Sequence, residues 1–320
     1  MANHEPTMLE WFYSLMDPGV ILTKAMSYYI DTNVKAILRG QVLAPFLRSQ
    51  ELRDEAFGKF WVAFSSNREE PPSTSDQDTT IPAPDPILTP TTSTKGSDGG
   101  DQGEVQFSND LIPPILSQAT GLVLDVGPGT GTQMPLLKSP NIKAIYGAEP
   151  CVGLHGELRK KANEEGLSDK YTILPCSVVA KELGPELEKV GLRSGPGSHE
   201  SGVFDTIITV RVLCSVPEFE KTAEELYALL KPGGKLLVVE HVVNPWRTAK
   251  GSVVARGLQG LYHVLGWRWV MGDCCLNRDT EAVLRRVAEG HGGWESLDFE
   301  RWFGRTCLPY ISGVLVKKGV

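Results

Sequence analysis

Residues 121–137, GLVLDVGPGTGTQMPLL, place Asp125 just ahead of three glycines spaced two apart, Gly127, Gly129 and Gly131, with Pro128 and Thr130 between them. Glycine belongs where a Cβ would block close approach of a ligand to the backbone or where φ must be positive. An apolar run entering such a turn, with an amphipathic pattern leaving it, fits a nucleotide-type ligand lying on a strand-to-helix turn. The spacing departs from the dinucleotide fingerprint G-x-G-x-x-G, because the third glycine comes one place early. No Gly-Lys-Ser/Thr follows, so a phosphate-cradling P-loop is excluded. A second group of the right type is Glu149, closing the apolar run IKAIYGAE. A carboxylate at a strand end can accept hydrogen bonds from both hydroxyls of a ribose that lacks a 2′-phosphate. Several cofactors use such turns, and a nicotinamide dehydrogenase stays open at this point.

Those residues need strands to hold them, and from Phe107 onward strand and helix patterns alternate. GLVLDVG, IKAIYGAE, YTILPC, FDTIITVRVLC and KLLVVEHV read as strands. GLHGELRKKANEEG, FEKTAEELYALL and a segment from about Gln133 read as helices, the second ended by Lys231-Pro232-Gly233-Gly234. This alternation predicts a doubly wound α/β fold with a parallel sheet covered on both faces. WESLDFERWF and PYISGVLVKK follow one another with no helix between, so an antiparallel hairpin is expected to close the sheet edge. Ahead of this domain, 107–320, residues 1–66 carry apolar residues at helical spacing, with Asp17-Pro18-Gly19 expected to separate two helices. Residues 67–106 are rich in Pro, Ser, Thr, Asp and Gly and are expected to be disordered, since they offer too little apolar surface to offset ordering. A flexible chain of that length spans about 35 Å, so the N-terminal helices are free to dock on the main domain and to act as a lid.

Composition narrows the class. The 320 residues carry a formal net charge of -7, with 41% hydrophobic and 22% charged residues, as in an ordinary soluble globular protein. An acidic chain without clustered Lys/Arg does not point to a nucleic-acid partner. The six cysteines, at 151, 176, 214, 274, 275 and 307, form no CxxC pair, so the expectation is free thiols in a reducing compartment and no metal site. No basic and apolar leader opens the chain, and no run approaches the roughly 20 apolar residues of a membrane span. A cytoplasmic protein, at most peripheral to a membrane, is the expectation.

With hhDhGxGxG at 123–131, an acidic residue closing the second strand, KPGG before the fifth and a terminal antiparallel hairpin, the chain resembles the class I S-adenosylmethionine-dependent methyltransferases over roughly 107–320. The resemblance implies a seven-stranded, mostly parallel Rossmann-like sheet with an antiparallel last strand. It also implies S-adenosyl-L-methionine as cofactor. Carried over by motif, Asp125 orients the turn and the methionine amino group. Gly127, Pro128, Gly129, Thr130 and Gly131 pass close to the methionine and ribose, and Glu149 binds the ribose hydroxyls. Pro150 and Cys151 flank the adenine. Cys176 and Ser177 stand where relatives carry an acid or amide for the adenine amino group, and Arg211 and Val212 lie under the sulfonium.

VRVLCSV, EHV, GDCCLNRDT and PYISGVLVKK further resemble the alkyl-thiol methyltransferases and their fungal-type relatives, with Gly272-Asp273-Cys274 inverting the usual Asp-Gly order. This implies a small, fairly apolar acceptor, a thiol first. Methylation at oxygen, nitrogen or carbon of a secondary metabolite, quinone or lipid is the alternative, and a non-catalytic cofactor-binding regulator the rival of another class. Methyl transfer is an in-line displacement that rests on alignment, and a thiol must also lose its proton. His241 and Asp273 are the candidate bases. GLQGLYHVLGWRWVMG is the candidate apolar wall of the acceptor pocket, and Trp11-Phe12-Tyr13 with Tyr28-Tyr29 the candidate aromatic faces of a lid.

Overall fold

A computed structural model describes residues 7–66, 105–192 and 202–319. The stretch expected to be disordered, 67–106, falls outside these apart from its last two residues.

Three helices come first: α1 (Met8–Leu38), α2 (Ala44–Leu47) and α3 (Ser49–Ser66). Thr7 starts α1 with a capping box, accepting from the Glu10 N–H while Glu10 accepts from the Thr7 N–H. The expected break at Pro18 does not occur, and α1 runs through it. An interior proline costs a helix about 3 kcal/mol, but here tertiary packing outweighs it. Leu15, Ile21, Leu22 and Ala25 are buried on the sheet domain, and the Tyr262 hydroxyl donates to the Leu15 carbonyl at 2.9 Å.

The remaining elements alternate: α4 (Ile112–Leu116), β1 (Gly121–Val126), β2 (Ile142–Ala148), α5 (His155–Glu164), β3 (Tyr171–Leu174), α6 (Ala180–Lys189), β4 (Phe204–Val210), α7 (Phe219–Leu229), β5 (Leu230–His241), α8 (Val253–Val264), α9 (Trp267–Val270), α10 (Thr280–Arg286), β6 (Trp294–Trp302) and β7 (Tyr310–Lys317). Among the described residues the strands form one seven-stranded sheet in the order β3-β2-β1-β4-β5-β7-β6. β1 through β5 pair in parallel, and β7 runs antiparallel to both its neighbours, as the terminal hairpin requires. GLVLDV and FDTIITV are almost continuously buried because helices cover both faces of the sheet. On one face Leu183, Leu187, Phe219, Leu226 and Leu284 from α6, α7 and α10 build a core. On the other, Leu15, Phe60, Leu116, Leu158 and Tyr262 from α1, α3, α4, α5 and α8 build a second. The N-terminal helices therefore belong to the core of the sheet domain.

Two further expectations change. The helix anticipated from Gln133 is a single 3-10 turn, Met134–Leu136, because Pro135 and Pro140 leave no room for a longer one before β2. Lys231–Gly234, just after α7, is already part of β5 and lies in the register irregularity between Leu230 and Lys235, which pair with β4.

Candidate functional site

The sheet order reverses between β1 and β4, and at the carboxyl ends of these central strands lies a cleft of about 790 Å³. Asp125, Gly127, Pro128, Gly129, Glu149, Pro150, Cys151, Ser177, Arg211, Val212, His241 and Asp273 all line it, so the fold unites most of the residues singled out in the sequence. Three do not reach the wall. Thr130 is buried with its hydroxyl lacking a protein partner among the described residues. Gly131 faces the side chains of Leu158 and Met134. Cys176 packs into the core with Val178 and Leu183.

The glycine turn is built as a cradle. Gly127 and Gly129 have φ of +56° and +63°, and a Cβ on Gly127 would stand 2.4 Å from Val212 Cγ2. Glu149, at the end of β2, holds the turn: its carboxylate accepts from the Gly129 N–H at 2.9 Å and the Cys151 N–H at 2.8 Å. Each oxygen keeps a second lone pair for a hydroxyl donor. Burial raises the Glu149 pKa to about 7, against these two hydrogen bonds, with Asp125 adding to the rise. Asp125 is likewise pushed up to about 6 by burial, opposed by the Tyr171 hydroxyl that donates to it at 2.8 Å. A backbone cradle closed to any Cβ, beside a carboxylate with free lone pairs, fits the nucleoside portion of S-adenosylmethionine.

Opposite this turn stands a wall that sequence reasoning missed. α3 aims Arg53, Phe57, Trp61 and Phe64 into the cleft, with Phe57 and Trp61 stacked at 5.8 Å and Trp61 Nε1 2.9 Å from where a Cβ on Gly129 would lie. Their i, i+4, i+8, i+11 spacing marks a helix face, but only the tertiary fold shows what it covers. The aromatics expected over the cofactor, Trp11-Phe12-Tyr13 and Tyr28-Tyr29, belong to α1 and are not on the described wall. Of the segment expected to form the acceptor wall, Trp267, Met271 and Gly272 reach the cleft, whereas Leu261, Val264 and Leu265 are exposed.

Asp273 and His241 serve different arrangements. Both oxygens of Asp273 are held by the Arg53 guanidinium, at 3.1 and 2.7 Å, which clasps α3 to the loop after α9. His241, the last residue of β5, is buried with Nε2 3.2 Å from Cys274 Sγ. Arg211 leaves β4 at φ +57° and donates to Ser108 Oγ at 2.8 Å and Asn109 Oδ1 at 2.6 Å, its guanidinium lying over the Tyr310 ring. Glu240 accepts from the Val212 and Leu213 N–H groups, both at 3.0 Å, fixing the chain as it leaves β4.

A family described as a methyltransferase domain matches residues 106–292. The chain is 28% identical over 171 residues to phosphatidylethanolamine N-methyltransferase of Cereibacter sphaeroides, covering 53% of this chain and 72% of that protein. It is 34% identical over 79 residues to the human thiol S-methyltransferase TMT1B, covering 25% of this chain and 30% of that one. Among solved structures, geranyl diphosphate methyltransferase in complex with SAM matches with a TM-score of 0.46 at 12% identity, over 67% of this chain and 85% of that chain.

Proposed function

The chain belongs to the methyltransferase-domain family and is an S-adenosylmethionine-dependent methyltransferase; from that premise we propose that its acceptor is the sulfur of a small, fairly apolar thiol. The observation that carries this reading is the acceptor side of the cleft. It is walled by Phe57, Phe64, Trp267, Met271 and Leu308, and its one described imidazole, His241, stands beside the thiols of Cys214 and Cys274. The partial match to a thiol S-methyltransferase supports the same reading.

Bound in the cradle, S-adenosylmethionine supplies an electrophilic methyl group. The chain's own residues supply position and dryness. Glu149 and the glycine turn fix the nucleoside, Asp125 the amino acid end, and Arg211 and Val212 the floor beneath the sulfonium. The apolar wall orients the acceptor in line and excludes water, and alignment of this kind is worth several kcal/mol of barrier. α3, clasped through Arg53 and Asp273, acts as a lid over both ligands. The described helices α1 to α3 and the described sheet domain thus work as one catalytic unit.

A second reading is N-methylation of an amine headgroup, favoured by the longer alignment with the phosphatidylethanolamine enzyme. No helix of the described residues is long and apolar enough to cross a membrane. The exposed row on α8, with Trp246 nearby, supports peripheral contact with a lipid surface. Transfer of labelled methyl from S-adenosylmethionine to a panel of aliphatic and cyclic dithiols, phenols, quinols and phosphatidylethanolamine vesicles separates the readings. Thiol labelling supports the first; labelling confined to the lipid replaces it with the second.

A further inference from the structure

The fold gathers three metal-binding side chains whose sequence positions gave no ligand spacing. Cys214 follows the turn out of β4, His241 ends β5, and Cys274 lies in the loop after α9. One ligating atom from each lies within 4.8 Å of the other two. Zinc holds thiolate sulfur at about 2.3 Å and imidazole nitrogen at about 2.0 Å, which puts neighbouring tetrahedral ligands roughly 3.5–3.8 Å apart. Closing this cluster on an ion therefore takes movements of about one ångström or less. All three residues are buried, at 2%, 6% and 7% exposure, yet all three line the cleft. His241 Nδ1 has no protein partner among the described residues, so no competing hydrogen bond fixes the ring elsewhere. Two cysteines and a histidine with one side open match the ligand set of catalytic zinc rather than the closed four-ligand set of structural zinc. Thiolate ligands also select zinc over magnesium or calcium.

We infer that Cys214, His241 and Cys274 bind one zinc ion whose fourth position opens on the acceptor side of the cleft and receives the acceptor sulfur. The role in the acceptor's chemistry rests on the proposed thiol substrate; the binding of the ion does not. Entering that position, the thiol gives its proton to solvent. A sulfur lone pair then forms the new bond to the methyl carbon as the carbon–sulfonium bond breaks, its electron pair staying on the departing S-adenosylhomocysteine sulfur. The methylated product is a neutral thioether, a weaker ligand than a thiolate, and so it leaves.

The test is metal content by plasma mass spectrometry of the full-length protein, purified without chelator, beside the C214S, C274S and C275S variants. The expected result is about one zinc per chain in the wild type and in C275S, whose thiol lies outside the three-atom cluster, and at least a ten-fold loss in C214S and C274S. Calorimetry with S-adenosylhomocysteine reports whether the variants stay folded. Should they fail, cobalt(II) loaded into the metal-free wild type decides the matter: a thiolate-to-cobalt charge-transfer band supports the site, and its absence overturns it. A wild type with no zinc, both as purified and after incubation with zinc chloride, also overturns it. Thiol methylation at equal rate by zinc-free and zinc-loaded protein keeps the thiol acceptor and overturns the ion's part in it. Zinc bound with no thiol methylated leaves the metal site standing and removes the acceptor.

Discussion

Replacing Glu149 by Gln keeps the shape of the side chain and removes its charge. The carboxylate accepts from two backbone N–H groups, Gly129 at 2.9 Å and Cys151 at 2.8 Å, and an amide must turn its NH2 toward one of them. One charge-assisted hydrogen bond within the turn is lost from the free and bound protein alike, whereas the one proposed to the ribose is lost from the complex alone. At about 1.5–3 kcal/mol, that loss is a roughly 10- to 10²-fold weaker Kd for S-adenosylhomocysteine. Calorimetric titration measures it directly, and the pH profile makes the test sharper. Burial holds the Glu149 pKa at about 7 in the ligand-free protein, and on the proposed assignment the ribose hydroxyls donate to the ionised form. Wild-type affinity should therefore fall about ten-fold per pH unit below 7, whereas E149Q should stay flat until Asp125 titrates near 6. Unchanged affinity in E149Q, or the same slope in both proteins between pH 6 and 7, refutes the assignment of Glu149 to the ribose.

Gly127→Ala places a Cβ 2.4 Å from Val212 Cγ2 at a φ of +56°, so strain and overpacking together should destabilise the protein by about 2–5 kcal/mol, read from denaturant midpoints. Arg53→Ala opens the clasp on Asp273; stability should drop by about 1 kcal/mol because Asp273 is partly exposed, while KM for cofactor and acceptor rises several-fold at nearly constant kcat in steady-state assays. Asp125 and Glu149 are both raised in the folded state, so the stability they contribute is complete below about pH 4 and is lost as pH climbs through 6 and 7. The thermal midpoint of the ligand-free protein should accordingly decline over that window, and the upward shift given by S-adenosylhomocysteine should be larger at pH 8 than at pH 5, as differential scanning fluorimetry would show.

What the sequence made legible was local or periodic. Asp125, the glycine turn and Glu149 announce themselves by their place at strand ends, and the alternation from Phe107 gives the sheet and its closing hairpin. Pro18 misled because a local helix breaker was overridden by burial of Leu15, Ile21 and Leu22 on distant elements. The α3 aromatics carried a readable helix face, but nothing local says that Trp61 lies over Gly129. Thr130, Gly131 and Cys176 belong to the motifs but are not among the residues that line the cleft, since a motif fixes a place in the chain and not what each residue touches. The Cys214–His241–Cys274 cluster was invisible for the opposite reason: its members sit on three separate strand ends and loops, and only strand order brings them together.

The measurement that tests the account most directly gives the protein one acceptor carrying a thiol, an amine and a hydroxyl on the same apolar frame, together with carbon-13 methyl-labelled S-adenosylmethionine. The atom that receives the methyl is then read by NMR. Label on sulfur, lost in E149Q, is the predicted result. Label on nitrogen or oxygen with the thiol left free contradicts the thiol acceptor.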